Sequence, residues 1–255
     1  MGWLGRVLGG LIGFYLGGPF GMIAGAVFGS MFDKSSDVGQ DQQYFFRNNV
    51  GYNRSQMVFF VGAFSMLAKL AEADGQVSES ARRKVHEFMI NDLYLTGQSY
   101  QYANSIFEQA LHQNSTFEDL ADQFYENFRT SPQLLQMMID IFYRVALSDG
   151  RISSNEEKLI DYACRRFNIP ESILDSIRRK YRYNNVSSKA YAVLGLTESA
   201  TNEEIKKAYR KLILEYHPDT VASKCMAEEF KEYATKRFRE IQEAYEAISK
   251  ERGIK

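Results

Sequence analysis

The sequence predicts an all-α protein, and three observations carry that prediction. Prolines are scarce, four in 255 residues, so few helices are forced to stop. Apolar residues recur at three- and four-residue spacing over long stretches, the period of helices that bury one face. No run of alternating β-branched residues is long enough to read as a strand. At 45% hydrophobic and 25% charged, the chain can bury a sizeable core, and its length leaves room for more than one folded unit. The formal net charge of −1 gives no global pull toward nucleic acid, so no nucleic-acid partner is expected and any charged recognition surface must be local. Cys164 and Cys225 stand far apart, and His86, His112 and His217 are the only histidines. Neither a disulfide framework nor a histidine-rich metal site is expected, and no cofactor is implied.

Residues 1–32 read as a transmembrane anchor. No charged residue occurs from Val7 to Phe32, a span of 26 positions, against the roughly 20 apolar residues a helix needs to cross a bilayer. Ten of the 18 glycines fall in the first thirty residues. Among them Gly5, Gly9, Gly13, Gly17, Gly21, Gly25 and Gly29 recur every fourth residue. On a helix that spacing makes a groove without side chains, an extended form of the small-xxx-small seam through which membrane helices associate. The expected consequence is a homodimer through this helix, kinked at Pro19. Two other readings stand beside it: a cleaved signal peptide, with Ala24-Gly25-Ala26 as its cleavage site, and a water-soluble glycine-rich tail. Arg6 on one side and Lys34, Arg47 and Arg54 on the other lean weakly toward a cytoplasmic C-terminus. Residues 33–54 are polar and mixed and read as a juxtamembrane linker, with Tyr44, Phe45 and Phe46 at the interface.

Residues 55–182 read as a helical domain with an internal repeat. Met57, Phe60, Phe64 and Leu67 share one helix face, as do Leu134, Met138, Ile141, Phe142 and Val145. The segment Ala73-Asp74-Gly75-Gln76-Val77-Ser78 returns 75 residues later as Ser148-Asp149-Gly150-Arg151-Ile152-Ser153. Each copy ends one helix at a glycine free to take positive φ and opens the next at a serine N-cap. Glu156 stands three residues after Ser153 and completes a capping box. Two helix-turn-helix halves packed as one bundle are expected. The paired Asp-Gly turns resemble the TerB-like fold of tellurite-resistance proteins. That resemblance implies Asp74, Glu79, Asp149 and Glu156 as weak candidate metal ligands, whereas the residues themselves read as turn and cap chemistry, without carboxylates at ligand spacing.

A short polar break, 183–189, precedes the last unit, 190–255. Thr201 and Glu204 form a capping box that opens a helix running to about Tyr216, with Ile205, Ala208, Tyr209, Leu212 and Ile213 on its buried stripe. A second helix, from about Ala227 to Ser249, should bury Phe230, Ala234, Phe238, Ile241, Tyr245 and Ile248 against the first as an antiparallel hairpin. Lys206, Lys207, Arg210 and Lys211 line the opposite face. Their like-charge pairs four apart cost a few tenths of a kcal/mol each, which points to an acidic partner. His217-Pro218-Asp219 follows in an exposed turn. No second ligand or nucleophile is matched to His217, so an enzymatic role is not expected.

The segments AYAVLGL, NEEIKKAYRKLILEYHPD and FREIQEAYEAI resemble the J domain of DnaJ-type co-chaperones over about a quarter of the chain. The resemblance implies docking on a DnaK-type chaperone and acceleration of its ATP hydrolysis. The residues that match the family's docking positions are Lys206, Lys207, Tyr209, Arg210, Lys211, His217, Pro218 and Asp219. Thr220 departs from the basic residue common after the tripeptide. Anchor, TerB-like middle and terminal J domain together resemble DjlA-type membrane-anchored co-chaperones of the bacterial inner membrane, although the break at 183–189 is shorter than that group's linker. The alternative is a stress- or metal-responsive TerB-like interaction module with an accessory J domain. In either case the client held by the middle domain is unspecified.

Overall fold

The computed structural model describes Gly13, residues 16–34, 54–182, 189–217 and 226–254. Every regular element among these residues is helical.

Helix α1 spans Gly18–Lys34. Gly17 and Gly18 hold positive φ, 65° and 54°, a region closed to most side chains, so the backbone turns there rather than continuing as one straight helix. The turn brings Gly13 against Gly21; a Cβ on Gly13 would lie 3.0 Å from the Gly21 carbonyl oxygen. Of the expected glycine seam, Gly13 and Gly21 therefore meet within one chain, Gly25 lies on α1, and Gly5 and Gly9 lie outside the described residues. Leu16, Phe20, Ile23, Ala24 and Val27 are buried in the protein core. Gln123 accepts the Phe20 N–H at 2.9 Å and donates to the Gly17 carbonyl at 2.8 Å, satisfying backbone groups at the start of α1. Among the described residues no helix is long and apolar enough to cross a membrane.

The middle bundle consists of α2 (Arg54–Ala71), α3 (Glu79–Glu87), α4 (Gly97–Leu111), α5 (Phe117–Phe128), α6 (Pro132–Ala146), α7 (Ser154–Arg166) and α8 (Glu171–Arg182). Helices α2 and α6 are its two interior rods, each apolar on nearly every side. Phe59 of α2 packs on Phe124 and Phe128 of α5, ring centroids 5.5 and 5.6 Å apart. The repeat works as the sequence implies: Gly75 and Gly150 take φ of 105° and 80°, Ser78 caps α3, and Ser153 with Glu156 forms the box that opens α7. Each turn is also tied to the other half. Asn155 Nδ2 of α7 donates to Asp74 at 2.9 Å, and Lys84 Nζ of α3 reaches Asp149 at 3.0 Å.

Helix α3 runs into a single π-helical turn, Phe88–Asp92, closed by the Leu93 N–H on the Phe88 carbonyl at 3.1 Å. The extra residue rotates Asp92 inward, where it is 5% exposed, and leaves Tyr94 at φ 53°.

The C-terminal unit holds α9 (Lys189–Val193), α10 (Asn202–Glu215) and α11 (Glu228–Arg252). Tyr191, Leu194, Ile205, Ile241 and Ile248 form its core. The expected hairpin differs in one respect. Helix α11 has 25 residues against 14 in α10, so its first turns have no partner within the hairpin. Phe230 and Ala234 join the core of the middle bundle instead, together with Met226, Ala227 and Tyr233, and the two stripes face each other only from Phe238 onward.

Candidate functional site

Helix α10 begins where its sequence says it should. The Thr201 N–H donates to Glu204 Oε2 at 2.8 Å, and the Glu204 N–H donates back to Thr201 Oγ1 at 3.3 Å. The Thr201 N–H and then its hydroxyl, both donating to the carboxylate, hold the Glu204 carboxyl below its usual range. Ile205, fully buried, fixes the rotation of the helix and turns Lys207, Arg210 and Lys211 to solvent. Arg210 Nε caps the Lys206 carbonyl at 3.2 Å, and Lys206 is half-buried. The stripe ends on Leu214, 66% exposed, an apolar patch beside three cations.

Tyr209 takes a different position from its basic neighbours. It stacks on Tyr245 with centroids 4.0 Å apart and planes 12° from parallel, so it braces the hairpin rather than standing on the charged face. His217 meets the edge of Phe238 at 5.5 Å, directly after the α10 C-cap Tyr216. Pro218 and Asp219 lie outside the described residues. Burial pushes the Glu215 carboxyl up, against the pull of Lys211. Tyr216 and Glu215 adjoin Gln133, Leu134 and Met137 at the start of α6, and Met226 completes the crevice.

Behind this end of the hairpin lie two buried carboxylates that sequence reasoning passed over. Asp140 of α6, 0% exposed, accepts from Tyr181 at 3.0 Å and Tyr233 at 2.6 Å and is ion-paired with Lys180 and Arg237. Burial first, then the negative Asp140, raise the hydroxyls of Tyr181, Tyr216 and Tyr233 well above the ordinary phenol range, so they remain hydrogen-bond donors. Asp92 takes Arg144 at 3.2 Å and Lys236 at 2.9 Å. The signal was a carboxylate inside the run LLQMMIDIFYRVA, where a buried charge needs partners from elsewhere in the fold.

Three of the four candidate metal ligands have ordinary partners. Asp74 accepts from Asn155, Asp149 pairs with Lys84, Glu156 caps Ser153, and Glu79 sits in the first turn of α3. Desolvation acts to raise the Asp149 carboxyl, but Lys84 and the Arg151 N–H outweigh it and hold it low. Among the described residues no three histidine, cysteine, aspartate or glutamate side chains are grouped to hold a metal. Burial, then Asp161, push the Cys164 thiol up to about 12, well away from a reactive thiolate.

Comparison with known proteins gives three family matches in chain order: the co-chaperone DjlA transmembrane domain over residues 1–51, the tellurite resistance protein TerB over 61–179, and the DnaJ domain over 189–254. Co-chaperone protein DjlA of Photobacterium profundum is 30% identical over 98% of this chain and 99% of its own length. The DjlA proteins of Coxiella burnetii and Vibrio cholerae are 29% and 30% identical, covering 100% and 98% of this chain and 100% and 99% of their own. No solved structure matches. With the three domains in this order and relatives similar from end to end, the chain belongs to the DjlA family of membrane-anchored, J-domain co-chaperones.

Proposed function

We propose that this chain recruits a DnaK-type chaperone to the bacterial inner membrane and accelerates its ATP hydrolysis. The observation that carries the reading is the stripe Lys207, Arg210 and Lys211, exposed on α10, with His217 directly after the helix C-cap. Such a stripe steers an acidic surface into register, and the loop at its end contributes the contact that the family's tripeptide makes. Lys206 extends the charge, Tyr209 holds the helix in place through Tyr245, and Pro218 and Asp219 join His217 in this reading by their place in the sequence. The protein acts by binding one state of its partner better than another, which is what shifting a chaperone cycle requires.

Steady-state ATPase assays with the full chain in detergent and a purified DnaK-type chaperone test this. Stimulation that disappears in His217→Gln is expected. Absent stimulation, or stimulation that survives the substitution, overturns the reading.

The anchor, single-pass with both folded units cytoplasmic, is supported by the match at residues 1–51 and by the need for a partner that uses ATP. In a bilayer, Phe20, Ile23 and Val27 would exchange their slot against the bundle for lipid. Self-association through the glycine seam is part of the same proposal. Gly21→Leu should weaken a cross-linked homodimer in membranes; an unchanged dimer yield assigns the close glycine contact to the turn within one chain.

A further inference from the structure

Helix α1 has a sequence suited to one solvent and a position in another. It carries no charge from Gly18 to Phe32, as a bilayer segment requires, yet it lies across α2, α4 and α5 of the middle bundle. Phe20, Ile23, Ala24 and Val27 are buried there, one stripe at three- and four-residue spacing. Met22, on the other face, is 55% exposed. The helix therefore occupies a surface cleft and can leave by its open side.

The cleft recognises backbone and apolar bulk, which many sequences offer. The Gln123 carboxamide of α5 accepts the Phe20 N–H at 2.9 Å and donates to the Gly17 carbonyl at 2.8 Å. The first of these is a group that any helix leaves open in its first turn. Small residues suit that turn, since a Cβ on Gly18 would lie 3.1 Å from the Gln123 side chain. Opposite, Gly62 of α2 makes a seat for a ring: a Cβ there would lie 2.9 Å from Phe20. Glycine inside a helix is unfavourable, so the seat is made against the preference of α2.

With the anchor in the bilayer, α1 leaves this cleft, and the apolar face around Gly62, Gln123 and Phe124 is uncovered on a domain tethered at the membrane. A contiguous apolar face on such a domain marks a binding site. Its occupant here defines the chemistry of a replacement: an uncharged helix with small residues in its first turn and apolar anchors at i, i+3, i+4 and i+7. We propose that the cleft between α2, α4 and α5 binds a transmembrane segment of another protein before that segment enters the bilayer, in the place α1 holds. The site rests on the anchor reading above. It gives the middle domain a ligand class, apolar helices, and makes α1 the competitor that closes the cleft outside the membrane.

The full chain in lipid nanodiscs, with no chaperone present, tests it. The probe is a photoreactive leucine–alanine peptide of about 20 residues with lysines at its C-terminus, and cross-links are mapped by mass spectrometry. Cross-links to α2 and α5 are expected, falling several-fold in Gly62→Leu, which fills the ring's seat, and in Gln123→Leu, which removes the backbone clamp. Gln123 is half-buried, so its variant carries the test if Gly62→Leu unfolds the bundle. Absent cross-links, cross-links confined to residues 1–34, or equal yields in parent and variants overturn the site. Capture of a peptide copying residues 16–34, with the leucine–alanine peptide refused, reserves the cleft for the chain's own anchor and overturns the foreign ligand. Release of the chain from membranes by alkaline carbonate shows instead that the anchor reading has failed, and the vacated cleft with it.

Discussion

Asp140 is the residue on which the most structure converges, with Lys180 and Tyr181 from α8 and Tyr233 and Arg237 from α11 around one carboxylate. Paired ions in a core add little net stability, but removing one member strands the others. Asp140→Ala should therefore cost about 3–5 kcal/mol, a fall in thermal midpoint of roughly 6–20 °C for a chain of this size; calorimetry checks it. Glu215 predicts an effect of opposite sign. Its folded pKa is raised by burial, above an unfolded value of about 4.3. The charged form is thus penalised in the fold, a cost absent below the unfolded pKa and complete once pH exceeds the folded one. Glu215→Gln should raise the midpoint at neutral pH and leave it unchanged near pH 3, as denaturation followed across that range would show. These residues were the least legible in the sequence. A cap such as Thr201 with Glu204 is written in four consecutive positions, whereas Asp140 gathers its partners from residues 40 to 97 positions away.

At the level of elements, the sequence carried the helices with strong periodicity and explicit caps, and the two Asp-Gly turns fell where their glycines and serines put them. It misled where one helix serves two cores. Periodicity along α11 is continuous, so Phe230 and Phe238 look alike, and only the shortness of α10 separates the bundle's share from the hairpin's. The π turn at Phe88–Asp92 also had no signature, since it depends on drawing Asp92 toward Arg144 and Lys236. Gly62 shows a packing demand that the sequence states without explaining. A Cβ there would lie 2.8 Å from Phe124 and 2.9 Å from Phe20, so α1 and α5 both approach α2 at this point. Gly62→Ala should destabilise by about 1–3 kcal/mol through overpacking, despite the better helix propensity of alanine; chemical denaturation would detect it.

At the scale of the whole molecule, the division into anchor, TerB-like bundle and J domain was readable from composition, repeat and motif, and the family matches follow the same order. What could not be read was how the units touch. The break at residues 183–188 lies outside the described residues, yet Arg179 of α8 donates to the Gly195 carbonyl just after α9, and Tyr233 and Lys236 of α11 reach Asp140 of α6 and Asp92 after α3. The J domain is thereby coupled to the bundle through α11. The candidate site followed the same rule as the fold: its charged face was legible because it is local, and its support was not.

On the proposed function, this chain drives a chaperone's ATP hydrolysis through α10 and the His217 that follows it. Single-turnover hydrolysis by a DnaK-type chaperone, measured with the chain in proteoliposomes, tests that most directly. Acceleration by the parent is expected, with a weaker and more salt-sensitive effect for Lys207→Glu and none for His217→Gln. Equal acceleration by all three would contradict it.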